Sequence, residues 1–189
     1  IQRNNEEYKF LTDDEQEINR EIKKVVVDQT KINEYLKGLI FDYTLTDRKF
    51  TYRNNPFDLS LYLDNMKVSA REYEIGIKVV TTSVDKDDSE VIRNSSFDQN
   101  NIYVLLDIPT NVYDEMYNCL QVEEYVRNTS RIAKSQNVDD IIRAKSREAE
   151  NTKSRIRESI ADSLKESDIL INGDKQIINA KEPRARVNE

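Results

Sequence analysis

Hydrophobic positions along the chain follow two different periods, and the switch between them sets the reading of the fold. Ile18 and Ile22 lie four apart behind Thr12-Asp13-Asp14-Glu15, where Thr and Glu three apart make a capping box. A first helix is therefore expected to about Lys24. The short run Tyr8-Lys9-Phe10-Leu11 before it is strand-like, and Val25-Val26-Val27 after it is β-branched, so it reads as a strand or an extended connection. Asp28 caps a second helix in which Ile32, Tyr35, Leu36, Leu39, Ile40 and Tyr43 form one apolar face. Gly38 inside that helix costs roughly 1 kcal/mol relative to Ala.

From residue 48 the period falls to two. Residues 48–53 alternate polar and aromatic, as a half-buried strand does, and Asn54-Asn55-Pro56 reads as a turn. Residues 59–66 fit a strand or a short helix equally. Ile75, Ile77 and Val79 share a face of the clearest strand, expected over 73–83. A loop at 85–90 leads to a short helix near Val91. Residues 102–106 are apolar on both faces, which predicts a central strand. Near the end, Ile169-Leu170-Ile171, Asn172-Gly173-Asp174 and Gln176-Ile177-Ile178 read as a β-hairpin around a glycine turn.

Between these strand regions the helical period returns for the longest stretch of the chain. Val112, Met116 and Leu120, joined by Tyr113, Tyr117, Cys119, Val122 and Val126, predict a helix opened by Thr110 after Pro109. Turn residues at 128–130 and 135–137 interrupt it. Asn137 is then expected to cap a second helix that runs to about Glu166, roughly 43 Å at 1.5 Å per residue. Asp139 and Asp140 fall in its first turn, the sign that the helix dipole favours. Its apolar stripe (Val138, Ile142, Ala149, Ile156, Ile160) is narrow and is broken by Lys145, Thr152 and Lys153. That pattern predicts a helix held at its two ends with a solvated centre. The centre carries Arg143, Lys145, Arg147, Lys153, Arg155 and Arg157 against Glu148 and Glu150, a balance of six minus two, or +4. It reads either as an exposed charge-laced face or as a docking surface for an acidic partner or a nucleic-acid backbone.

The pattern as a whole predicts an α+β fold: a small sheet flanked by helices, with a long antiparallel helical hairpin. The expected division is an α+β subdomain over 1–109, the hairpin over 110–166, and a β-hairpin and tail over 167–189 packing back on the first part. Ten tyrosines raise the question of base stacking. Tyr113 and Tyr117 stand one turn apart and Tyr35 and Tyr43 share a helix face, so core packing accounts for them better.

Composition narrows the chemistry. The 189 residues carry a formal charge of −7, which disfavours the chain as a whole as a nucleic-acid binder while leaving room for a local basic patch. With 37% hydrophobic and 34% charged residues the chain is polar yet able to bury a core. Histidine is absent, which removes the commonest general base, any Ser-His-Asp or Cys-His triad, and the usual metal ligand. Glycine occurs only at 38, 76 and 173, so neither a phosphate-cradling loop nor a dinucleotide fingerprint can be written on this sequence. One cysteine, Cys119, excludes an internal disulfide and four-thiolate zinc, and suits a reducing, cytoplasmic setting. Asp85, Asp87, Asp88 and Glu90 fail the calcium-loop test, because the sixth and twelfth positions counted from Asp85 hold Glu90 and Ser96. Asn94-Ser95-Ser96 and Asn128-Thr129-Ser130 match the glycosylation sequon without a secretory signal to give them meaning. No apolar run reaches the ~20 residues that span a bilayer. The expectation is a non-enzymatic chain with no catalytic, cofactor or metal residues. The chain opens on Ile-Gln-Arg without Met, which reads as a piece of a larger protein.

Three runs carry a family resemblance. Tyr8-Lys9-Phe10-Leu11-Thr12-Asp13-Asp14-Glu15-Gln16-Glu17-Ile18-Asn19-Arg20-Glu21-Ile22, Asp140-Ile141-Ile142-Arg143-Ala144-Lys145-Ser146-Arg147-Glu148-Ala149 and Asp168-Ile169-Leu170-Ile171-Asn172-Gly173-Asp174-Lys175 resemble the large P-loop protein of BREX phage-defence systems, the BrxC/PglY family. None of the three is a catalytic motif. The resemblance implies an internal, non-catalytic piece of a very large ATPase that restricts phage DNA together with a methyltransferase and other subunits. The family's nucleotide-binding motif has no counterpart in this sequence, so no ATP-site residue carries over. The partners it implies are the other subunits of a defence complex; DNA reached through the basic helix is the alternative, and self-association stays open.

Overall fold

The computed structural model describes residues 2–4, 7–9, 12–81, 88–132 and 135–176. Expectations for Phe10 and Leu11, for Asp85 and Asp87, for the strand beyond Gln176 and for the charged tail fall outside the described residues. The chain clusters into two compact units: residues 1–33 with 111–156, and residues 34–110 with 157–189.

The second unit is built on a mixed sheet. Its strands are β3 (Lys49–Tyr52), β4 (Asn55–Leu63), β5 (Met66–Lys67), β6 (Ile75–Thr81), β7 (Asn101–Leu106), β8 (Asp168–Ile171) and β9 (Asp174–Gln176). Six of them run in the order β3-β4-β6-β7-β8-β9, with the two-residue β5 turned back beside β4. β4, β6 and β7 are parallel; every other pairing is antiparallel. The parallel register puts Leu63, Val79 and Val104 on neighbouring positions of one face, and all are buried. On the opposite face, Val80, Tyr103 and Leu170 pack with Val91 of α3 (Asp88–Phe97), the helix that joins β6 to β7. Residues 102–106 are thus a central strand, as the two-sided apolar run predicts. The stretch 59–66 resolves as strand, because β4 continues to Leu63 before a turn at Asp64.

Two turns explain the strand boundaries. Arg53 and Asn54 have φ of 47° and 65°, and Asn172 and Gly173 have φ of 53° and 86°, the positive pair that a two-residue hairpin requires. The first turn therefore sits one residue earlier than Asn54-Asn55-Pro56 suggests, and Asn55 and Pro56 already belong to β4. β3 is an edge strand on which only Phe50 is partly covered, so the expected half-burial is weak there.

The second helix changes character midway. α2 (Gln29–Lys37) passes into a π-helical segment, Gly38–Thr44, whose last turn shows the bond Leu45 N–H to Ile40 O at 2.6 Å. Bonding i to i+5 rotates the side chains off the α-helical stripe. Leu39, Ile40 and Phe41 stay buried, but Tyr43 swings out to 57% exposure. Its expected place in the core is thereby corrected: its ring instead stacks under the Arg157 guanidinium, 4.2 Å from the centroid. Arg48 closes the segment by donating to the carbonyls of Phe41 (2.8 Å) and Leu45 (3.0 Å).

The first unit is helical: it holds α1 (Asp13–Lys24), nearly all of α4 (Thr110–Thr129) and α5 (Gln136–Glu166) as far as Ile156, preceded by an antiparallel pair of β1 (Gln2–Asn4) and β2 (Glu7–Lys9). α1 carries the full capping box between Thr12 and Glu15. Val25 is extended, and residues 25–28 belong to no helix or strand. α5 is capped by Ser135, whose Oγ accepts from Val138 N–H, and not by Asn137. Along the chain, α4 and α5 are the whole connection between β7 and β8, two strands that are direct neighbours.

Candidate interaction surface

α4 and α5 run antiparallel: Arg155 meets Glu115 at 4.0 Å and the Cys119 thiol donates to the Ala149 carbonyl at 3.5 Å, while Ile142 clusters with Tyr125. α1 completes that cluster with Ile18 and Ile22, and Val122, Val126, Val138 and Ile141 pack around it. Polar contacts fix α1 in register. The Gln121 amide donates to Val25 O at 2.7 Å, the Tyr125 hydroxyl to Glu21 at 2.7 Å, and the Asn137 amide to Asp14 at 2.5 Å. Burial, reinforced by the Glu21 carboxylate, pushes the Tyr125 hydroxyl up to about 12. Glu124 accepts from Arg127 and from Lys31, the latter at 2.6 Å, and these bonds hold its carboxyl down at about 2.

The six cations of α5 do not form one face. At 100° per residue, Lys145 and Lys153 flank the buried stripe on opposite sides, Arg157 stands further round, and Arg143, Arg147 and Arg155 point away from it. Lys153 keeps only 14% of its side chain exposed and pairs with Glu123 and Glu150. Burial works to lower its pKa, but those carboxylates outweigh burial and hold it above its ordinary value. The centre of α5 is consequently sealed where a solvated one was expected, with Ala149 buried against α4. Lys145 reaches Glu148 at 3.5 Å, and Arg157 lies over Tyr43. Arg143 and Arg147 are exposed, one turn apart, and make no ion pair among the described residues. Lys145 and Arg155 line a groove of about 340 Å³ between α1, α4 and α5, floored by Ile22, Cys119, Val122 and Ala149. Burial pushes the Cys119 thiol up to about 11, so it is protonated and inert near neutral pH.

The sheet holds a second polar constellation that residue patterns do not disclose. On the face shared with α3, the Lys78 ammonium pairs with Asp98 and donates to the Tyr103 hydroxyl at 3.3 Å. Tyr103 donates to Asp98 at 2.9 Å and the Asn101 amide to its other oxygen at 2.7 Å. The Lys78 ammonium also sits 5.4 Å from the Tyr62 ring centre and 5.2 Å from that of Tyr103. Burial opposes both charges, yet the mutual hydrogen bonds win: Lys78 lies above its ordinary pKa and Asp98 below it. Burial and the Asp98 carboxylate raise Tyr103. The cleft around these groups, about 580 Å³, also exposes Asp64, Asn65, Glu72 and Asn94. Its central charges are already matched to one another, which suits a structural clamp between β6, β7 and the end of α3. Lys78 is 20 residues from Asp98 and 25 from Tyr103, and the parallel register brings it to them, so no local motif signals the group. Among the described residues no cluster of three or more metal-ligating side chains occurs, and no helix is long and apolar enough to cross a membrane.

No solved structure matches this chain. A family model does: the fourth domain of the BREX ATP-binding protein BrxC, described as having a six-stranded β-sheet, matches residues 25–189. The six-strand path through the sheet agrees with that description. With most of its length matched, the chain belongs to the BrxC fourth-domain family and is a segment of a BREX phage-defence protein.

Proposed function

We propose that this chain is a non-catalytic interaction module of the larger ATP-binding protein, and that its helices α1, α4 and α5 carry the contact with other subunits of the defence complex. The observation that supports this reading is the route from β7 to β8. A two-residue turn suffices to join neighbouring antiparallel strands, yet the chain spends residues 110–166 on two long helices there. Arg143 and Arg147 stand out from that excursion as exposed cations, one turn apart on the outward side of α5. Acidic partner surface is the matching chemistry.

The test is pull-down of the other complex proteins by the full-length parent carrying Arg143→Glu with Arg147→Glu. Capture falls roughly tenfold if these cations contribute about 1.4 kcal/mol to the contact; unchanged capture would contradict the reading. A second reading rests on the same two arginines: a DNA-contacting face that also recruits Arg155 and Arg157. It predicts salt-sensitive DNA retention, with roughly one unit of the logarithmic salt slope lost per phosphate contact removed. Retention without that dependence excludes it.

A further inference from the structure

We infer that the β-ribbon at residues 48–58 is a seat for single-stranded nucleic acid, with Phe50, Tyr52 and Phe57 as a stacking platform and Lys49 and Arg53 as its phosphate contacts. The inference is independent of the proposed function and of the helices named there. β3 pairs with Asn55 to Asp58 at the start of β4, whereas β6 pairs with β4 only from Leu59 onward. Residues 49–58 therefore form two strands that no third strand supports. Every residue from Arg48 to Phe57 is exposed except Phe50, which is partly covered. Phe50 and Phe57 are direct cross-strand partners and Tyr52 lies two residues beyond Phe50, so the three rings share one face. Phe57 continues the row of Leu59, Leu61 and Leu63 past the point where that row is buried. Tyr52 keeps 53% of its surface exposed and Phe57 43%, an apolar patch left open to water on a thinly supported ribbon.

The chemistry around the rings selects the ligand. From Arg48 to Phe57 the chain carries three cations and no carboxylate, in a protein whose net charge is −7. Arg48 is committed to the carbonyls of Phe41 and Leu45. Lys49 meets Asp58 at 3.4 Å, but both side chains are well exposed, and such a pair holds its ammonium so weakly that a phosphate can take its place. Arg53 sits at the turn with its guanidinium 5.1 Å from the Tyr52 ring centre and makes no ion pair among the described residues. A protein seat built on aromatic anchors is ringed by contacts that exclude water. These rings are bordered instead by Thr51, Asn54 and Asn55, all exposed. Unstacked bases fit that border: each offers a π-face to a ring or a guanidinium plane and a polar edge to a side-chain amide. With two cations the electrostatic share is small, so stacking supplies most of the affinity. A duplex hides its base faces, and the platform therefore selects single strands.

The test is a titration of a dye-labelled oligothymidylate of about 16 nucleotides with the 189-residue chain, read by fluorescence anisotropy. Tyr52→Ala and Phe57→Ala are each expected to weaken binding roughly tenfold, while Tyr52→Phe binds as the parent chain does. Phe57→Leu keeps apolar bulk without a ring and is expected to bind as weakly as Phe57→Ala. The logarithmic salt slope is expected at about −1.4, two contacts at about −0.7 each, and shrinks to about −0.7 in Arg53→Gln. Arg143→Glu with Arg147→Glu leaves the titration unchanged, which keeps this result separate from that of the partner pull-down. No binding, binding that survives both alanine variants, or a salt slope that Arg53→Gln does not move overturns the inference. So does Phe57→Leu binding like the parent, which marks an apolar protein contact instead.

Discussion

Lys78 shows how much a single side chain can hold in place. Its ammonium ties Asp98 and Tyr103 from adjoining parts of the sheet unit, and removing it strands a half-buried carboxylate. Lys78→Met is expected to cost about 1–3 kcal/mol at pH 7, the usual loss when a charged hydrogen bond is left unmade. The pH dependence follows from the directions of the shifts. Asp98 is depressed in the fold, so its contribution is present above the ordinary carboxylate value of 3.8 and is lost as pH falls through the lower folded value. Lys78 and Tyr103 are raised, so their contributions are complete below 10.5 and 10.0 and are lost as pH climbs past them. Urea unfolding followed from pH 7 downward should show a smaller acid loss below about pH 4 in Lys78→Met than in the parent chain, because the Asp98 carboxyl is then held less far below its ordinary value; parallel acid limbs would refute the pairing. Cys119 offers a second residue-level check. With its thiol at about 11, the folded chain should resist thiol labelling at pH 8 and react promptly in urea; prompt labelling of the folded chain would show the α4–α5 seam to be open.

At the scale of elements, two glycines in similar-looking surroundings should behave oppositely. A Cβ at Gly38 meets nothing nearer than Asp42 Oδ2 at 3.8 Å, and Gly38→Ala is expected to stabilise by about 0.5–1 kcal/mol through lost unfolded-state entropy. A Cβ at Gly76 would lie 2.4 Å from Asn101 Oδ1 and 2.7 Å from the Ser60 carbonyl, so Gly76→Ala should cost more than about 1 kcal/mol by forcing β4 and β6 apart. Urea midpoints of the two variants moving in the same direction would contradict this. Helices were the most legible elements in the sequence, because capping chemistry and the 3.6 period act locally: the Thr12–Glu15 box and the Asp28 cap both form. What failed was local geometry with a non-local cause. The π-segment that turns Tyr43 outward answers to the Arg48 guanidinium closing its end, which no periodicity encodes. Ser135 in place of Asn137 as the α5 cap is the same lesson, since Asn137 is drawn away by Asp14 on α1.

At the scale of the molecule, strand existence was readable and strand order was not. The parallel run β4-β6-β7 and the return of β8 beside β7 depend on long-range pairing, in the last case across the 61 residues between Leu106 and Asp168. The basic helix was legible as a composition and illegible as a surface: α4, itself apolar in pattern, supplies Glu115 and Glu123 to neutralise two of its six cations. Among the described residues Arg143, Arg147 and Arg157 make no ion pair, and with Arg157 lying over the Tyr43 ring, Arg143 and Arg147 are the two left facing outward. That selection makes the functional claim sharp. Binding of the full-length parent to the other proteins of its defence complex is to be titrated with two variants, Arg143→Glu/Arg147→Glu on α5 and Arg71→Glu/Arg93→Glu on exposed positions of the sheet unit. The account predicts that affinity drops by roughly tenfold in the first and is unchanged in the second. Equal affinity of both variants, or a loss confined to the sheet-unit pair, would contradict it.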